Sequence, residues 1–135
     1  MVYRYTEKVK DHFKNPHNAG KLTDPDAVAT EGSLACGDMM TIYIKEKDGV
    51  IEDIKFESYG CAANIATASM VTDIVMGKTL EEAEKITWQK ISEKLGGLPK
   101  VKNHCSNLAV ETLHSTIRKL REQKEGKKTP PAETK

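Results

Sequence analysis

The stretch MTIYIKEKDGVIEDIKFESYGCAANIATASM, Met40–Met70, decides the fold. Met40, Ile42 and Ile44 alternate with Thr41, Tyr43 and Lys45, the period of two that sends apolar side chains to one face of a strand. Lys47-Asp48-Gly49 is turn chemistry, and a second alternating run follows, with Val50, Glu52, Ile54, Phe56 and Ser58 on one side. These features predict a hairpin within a small antiparallel sheet. After Gly60-Cys61 the period changes. Ile65, Ser69, Thr72 and Met76 recur at helical spacing among small residues, and Gly77 supplies the stop. Cys61 therefore falls where a strand hands over to a helix.

Working outward, Tyr5, Val9 and Phe13 lie four apart and predict an amphipathic helix over about Tyr3–Asn15. Residues 15–35 (NPHNAGKLTDPDAVATEGSLA) show neither periodicity and read mostly as loop. Toward the C-terminus, Thr79-Leu80-Glu81-Glu82 has capping-box spacing, and Thr87 caps a second short helix that runs to Leu95 before Gly96-Gly97. Leu108, Thr112, Leu113, Ile117 and Leu120 form one stripe of a final long helix starting near Cys105 or Ser106. Residues 121–135 are almost devoid of apolar side chains and contain Pro130-Pro131, so burial cannot offset their ordering entropy and a disordered tail is predicted. The expectation is one α+β domain over residues 1–120: about three antiparallel strands packed against several helices.

The charge balance narrows the function classes. Lysine and arginine number 21 against 20 acids in 135 residues, so no global field draws the chain to nucleic acid or to an anionic membrane. Lys100, Lys102 and the basic tail are interleaved with acids and lack the aromatics of a nucleic-acid groove. No apolar run approaches bilayer length, and the start MVYRYTEKVKDHF is charged rather than signal-like, which reads as cytoplasmic. Three cysteines cannot all pair within one chain, so a disulfide framework explains them poorly.

Each cysteine sits at a break between regular elements: Cys36 in Ala-Cys-Gly-Asp, Cys61 in Tyr-Gly-Cys-Ala, Cys105 in Asn-His-Cys-Ser. Glycines beside two of them permit close backbone approach, and helix starts favour thiolate through free N–H groups. Cys36 and Asp38 are two apart, so in extended chain they point the same way. With His104 this makes three thiols, a carboxylate and an imidazole, a donor set for a metal or cluster if the hairpin end and the two helix starts converge. The spacing alone leaves the plainer readings open: buried small hydrophobes for Cys36 and Cys61, a turn former for Asp38, a surface or capping role for His104. His12, His17 and His114 read as structural or solvent-facing.

Several separate stretches occur in the order of one family: Tyr5-Thr6-Glu7-Lys8-Val9 with Asn15-Pro16, Ala35-Cys36-Gly37-Asp38, Tyr59-Gly60-Cys61 with its Ala/Ser-rich helix, Val75-Met76-Gly77-Lys78, and Val101-Lys102-Asn103-His104-Cys105-Ser106. Over Tyr5–Leu120 the sequence resembles the IscU-type iron-sulfur cluster scaffold, also found as the N-terminal part of NifU proteins. The resemblance implies a 2Fe-2S cluster held by Cys36, Asp38, Cys61 and Cys105, with His104 as an alternative ligand and zinc in the cluster-free form. It implies a cysteine desulfurase as sulfur donor, acceptor apo-proteins, a homo-oligomeric holo form, and a carrier rather than an enzyme. The family's chaperone-binding Leu-Pro-Pro-Val-Lys becomes Leu98-Pro99-Lys100-Val101-Lys102 here, which puts docking of an Hsp70-type chaperone in question. Tyr5 falls in a segment the family uses for partner contacts. The alternative is a zinc-dependent sulfur acceptor of the SufU type, but the stretch from Cys61 to Cys105 lacks that type's insertion. Within this reading Cys105, beside His104 and Lys102, is the candidate persulfide acceptor, and the harder ligand Asp38 is the point of cluster release.

Overall fold

The computed structural model describes residues 5–33 and 37–128. In chain order the elements are α1 (Glu7–Lys14), β1 (Ala27–Ser33), β2 (Asp38–Lys47), β3 (Val50–Tyr59), α2 (Ala62–Val75), α3 (Leu80–Glu84), α4 (Trp88–Lys94), a 3-10 turn (Lys100–Lys102) and α5 (Asn103–Lys128). The strands form one antiparallel sheet in the order β1-β2-β3. This is the expected α+β architecture with a long C-terminal helix.

The hairpin closes through Asp48 and Gly49, both at positive φ (+54° and +81°), between the paired residues Lys47 and Val50. That geometry matches the right-handed twist of the strands and explains the Asp-Gly pair. Met40, Ile42, Ile44, Ile54 and Phe56 face the core as predicted. The expected face fails near the turn. Lys45 pairs with Asp53 but Glu46 pairs with Ile51, so Glu52 is the extra residue of a bulge; Ile51, rather than Val50 or Glu52, is buried.

Residues 27–33, read as loop, form the third strand. Ala27 pairs with Ile44 and Ala29 with Ile42, and both alanines are buried. Alanine is a poor strand former, and the strand exists because β2 offers its edge and α5 covers it. Ser115 Oγ donates to Glu31 Oε2 at 2.6 Å, tying that cover to β1.

α2 is the central helix. Ala63, Ala66, Ala68, Val71 and Val75 are buried, and so are Asn64, Thr67, Ser69 and Thr72, so the helix has no polar face. Small side chains let α1, β3 and α5 pack around it at once. The buried hydroxyls bond locally, as where Thr72 Oγ1 donates to the Ser69 carbonyl at 2.9 Å.

α1 starts at Thr6, whose Oγ1 accepts from Val9 N at 3.2 Å. Val9 is buried as predicted, whereas Phe13 is 45% exposed; His12, read as structural or solvent-facing, takes the structural place, buried and bonded to Ser69 of α2. The capping box of Thr79 and Glu82 is present, and Thr87 caps α4, which ends at Leu95.

The tail also departs from expectation. α5 continues through residues 121–128, where Arg121 donates two hydrogen bonds to Glu84, at 2.8 and 2.9 Å, and Lys124 bonds Glu46. Paired charges and helix continuation take the place of apolar burial; residues 129–135 lie outside the described region.

Ile117 lies on α5 with no exposure, packed into the cluster around Ile42 and Val71. Ile117→Ala is expected to cost about 2–5 kcal/mol, lowering the thermal midpoint by roughly 10 °C. Circular dichroism melting checks this, and an unchanged midpoint would contradict the packing described.

Candidate metal centre

Three elements meet at one end of the sheet. Asp38 opens β2, paired with Ser33 of β1, while the neighbouring Met39 pairs with Tyr59 at the end of β3. Two residues on, Cys61 is the N-cap of α2 with extended backbone (φ −79°, ψ 175°). Cys105 is the third residue of α5, buried, with its carbonyl accepting from Thr67 Oγ1 of α2 at 3.3 Å. Donor atoms of Asp38, Cys61 and Cys105 consequently lie within 4.8 Å of one another.

The two sulfurs are 3.7 Å apart. That is too far for a disulfide, whereas two thiolates about 2.3 Å from one tetrahedral ion stand roughly 3.8 Å apart. His104 Nε2 completes the group, 3.0 Å from Asp38 Oδ2 and 3.6 Å from Cys105 Sγ. The donors are thus soft and hard together, arranged for iron or zinc.

The thiols share their protons unequally. The Cys105 thiol donates to Cys61 and, with backbone N–H groups of Asn64 and Ala63 and the charge of Lys102, outweighs partial burial to bring Cys61 down to about 5. Cys105 is pushed up by that same bond, by burial and by the charges of Cys61 and Asp38. Lys102 is raised: burial pulls it down, but the Cys61 thiolate and Tyr5 more than compensate. Thiolate character expected at Cys105 therefore resides on Cys61, because the Cys105 thiol, the helix N-terminus and the lysine all address the half-buried Cys61 sulfur. Iodoacetamide is expected to modify Cys61 well before Cys105 in metal-free protein, at a rate that holds from pH 7 to pH 6 and falls only as the thiolate is protonated below about pH 5. Peptide mapping of the alkylated chain checks this, and equal labelling of both sulfurs would refute it.

The sequence model of the NifU-like N-terminal domain matches residues 4–127. The chain belongs to that family. The iron-sulfur cluster assembly scaffold protein IscU 1 of Archaeoglobus fulgidus is 60% identical over 113 residues, 84% of this chain and 74% of that protein. The IscU scaffold protein of Aquifex aeolicus is 48% identical over 120 residues, 87% of this chain and 76% of that protein. A crystal structure of a nitrogen-fixing NifU-like protein (N-terminal) from Brucella abortus superposes with a TM-score of 0.69 at 26% identity, covering 87% of this chain and 94% of that one.

Within this NifU-like domain the fold brings together Asp38, Cys61 and the adjacent pair His104-Cys105, three places far apart in sequence. Cys36 lies outside the described residues. Tyr5 is partly buried against the core and interacts with Lys102 rather than standing free. Leu98 also packs on the core, Pro99 caps the 3-10 turn, and Lys100, Val101 and Lys102 form that turn, which leads directly into His104 and Cys105. The expected chaperone segment is therefore the lead-in to the centre itself.

Two residues position the site: Asn64, whose role escaped the sequence reading, and Gly60, expected there to permit close approach. Asn64, fully buried, donates to Ser58 Oγ at 2.7 Å and to the carbonyls of Tyr59 and Met39 at 3.3 and 3.4 Å, locking the strand ends to α2. Its signal was a polar residue among alanines directly after Cys61. Gly60 leaves the space that the Asp38 carboxylate fills, since a Cβ there would meet Asp38 Oδ1 at 2.3 Å and Asn64 Nδ2 at 2.9 Å. Gly60→Ala is expected to displace Asp38 and weaken metal uptake about tenfold or more while leaving helix content intact. Zinc competition titration beside circular dichroism measures both; undiminished uptake would contradict the close approach.

Proposed function

We propose that this protein is a scaffold on which an iron-sulfur cluster is assembled and from which it is passed on. The observation that carries the proposal is the donor set of Asp38, Cys61 and Cys105 within 4.8 Å, with His104 bonded to Asp38, at the meeting of a sheet end and two helix starts. The cluster is cargo, a 2Fe-2S unit held by Cys36, Asp38, Cys61 and Cys105. Three thiolates and one carboxylate against an oxidised core leave a net charge of about minus two, which Lys102 and the helix N-termini offset in part.

Sulfur arrives as a persulfide from a cysteine desulfurase. The attacking group must be a thiolate, and the Cys61–Cys105 pair holds one ready. Treatment with a persulfide donor, trapping and peptide mass spectrometry is expected to place the added sulfur on this pair; its appearance on Cys36 alone would refute that assignment. Transfer to acceptor apo-proteins follows from the weak Asp38 ligand, and assembly of subunits around the holo site completes the reading. The turn of Lys100–Lys102 leads into His104 and Cys105, which supports this face as the one that meets the desulfurase.

A zinc-bound sulfur acceptor would use the same donors. Isolation without oxygen, followed by iron, sulfide and zinc analysis with a visible spectrum, separates the two. Iron and sulfide in equal amounts with a coloured spectrum are expected, and stoichiometric zinc with neither would overturn the scaffold reading.

A further inference from the structure

Toward the C-terminal end of α2 a second group of ligand-type side chains comes together. His12 lies in the last turn of α1, His17 follows in the connecting loop, and Asp73 lies on α2; one ring nitrogen of each imidazole and a carboxylate oxygen lie within 4.8 Å of one another. The two rings approach to 4.7 Å between centroids, inclined at 47°. Asp73 is twelve residues beyond Cys61, roughly 18 Å along the helix at about 1.5 Å per residue, so this group is separate from the thiolate centre.

The surrounding backbone is already fixed for binding. Ser69 sits one helical turn before Asp73 and bonds both histidines: its Oγ is 2.7 Å from His12 Nδ1 and accepts from His17 N at 2.8 Å. Thr72 Oγ1 donates to the His17 carbonyl at 3.4 Å and accepts from Asn18 Nδ2 at 3.1 Å, pinning the loop beside it. His17 Nδ1 in turn meets Asp73 Oδ2 at 2.6 Å. Hydroxyl partners that orient an imidazole and a rigid helix that presents the carboxylate are what a metal site requires around its ligands.

We propose that His12, His17 and Asp73 form a second metal site, for a divalent transition ion of the zinc or ferrous type. Two imidazoles and one carboxylate suit such borderline ions, with water completing the coordination. His17 and Asp73 are exposed, so an ion can reach the site from solvent, while His12 at 9% exposure anchors it to the core. Bound there, the ion ties α1 and its loop to α2, whose N-cap is Cys61.

The competing explanation is a plain ion pair between His17 and Asp73, and His17→Arg separates the two: arginine keeps a cation beside Asp73 but cannot ligate. Cobalt(II) is titrated into the untagged full chain and into the Cys61→Ser/Cys105→Ser variant. The latter is expected to retain about one cobalt per chain without a thiolate charge-transfer band, and adding His17→Arg to weaken that uptake about tenfold or more. Absence of cobalt from the double-serine variant, or uptake that His17→Arg leaves unchanged, would overturn the site. Melting of the metal-free variants reports whether they fold. Should one not fold, proton NMR of the unsubstituted chain with substoichiometric cobalt decides: broadening of the His12 and His17 ring signals supports the site, broadening of His104 alone overturns it. Competition by zinc and, without oxygen, by ferrous iron then tells which ion is preferred.

Discussion

Cys105→Ser is expected to abolish stable cluster formation, leaving less than about a tenth of the iron and sulfide per chain found in the unsubstituted protein. The sulfur it removes is 3.7 Å from Cys61 Sγ and 3.6 Å from His104 Nε2, and Cys61 is the one other thiol donor at that point among the described residues. Loss even of an outer partner typically costs 10- to 100-fold in metal affinity, and loss of a soft ligand costs at least as much. Serine is close in volume, so the buried position should fold, and thermal melting of the metal-free variant checks that. Serine keeps a hydroxyl donor toward Cys61; Cys105→Ala, which removes the donor, is expected to slow Cys61 alkylation at pH 6. Cluster yield equal to that of the unsubstituted chain would show that Cys105 is not a ligand.

Asp38→Ala acts in the other direction. Its cluster is expected to persist several-fold longer and to pass to an apo-ferredoxin about tenfold more slowly, a factor equivalent to about 1.4 kcal/mol. The carboxylate is the hard member of a soft set and the natural point of release. His104 Nε2 is bonded to it at 3.0 Å; with Asp38 gone that imidazole is released beside the vacated position and binds iron more firmly. The double variant Asp38→Ala/His104→Ala should lose the added lifetime. Decay of the visible cluster band with and without acceptor reads both effects, and faster decay of the single variant with transfer unimpaired would refute the role given to Asp38.

The elements that were legible in the sequence were those with local causes. Alternation over Met40–Ile44, the Asp48-Gly49 turn, the Thr79 capping box and the stop at Gly96-Gly97 are each set by residues within a few positions of one another. β1 was not, because Ala27 and Ala29 have no strand preference of their own and become strand only against the edge of β2. Ile51 displaced Glu52 from the predicted face because a bulge changes the period without any signal in composition. Residues 121–128 became helix because Glu84 and Glu46, far away in sequence, provide partners for Arg121 and Lys124.

The site divides in the same way. Sequence by itself supplied the candidate donor types and predicted each cysteine at a break between elements, which the structure shows for Cys61 and Cys105. Only the tertiary structure decided that Asp38, Cys61, Cys105 and His104 meet, that the thiolate sits on Cys61 rather than Cys105, that Gly60 leaves room for the Asp38 carboxylate, and that Asn64 ties the strand ends to α2. The physical reason is range. Backbone preference and hydrophobic period act over a few residues and are written locally, whereas proton sharing, burial and donor convergence depend on distances of a few ångströms between groups brought together by the packing of α2 against the sheet and α5.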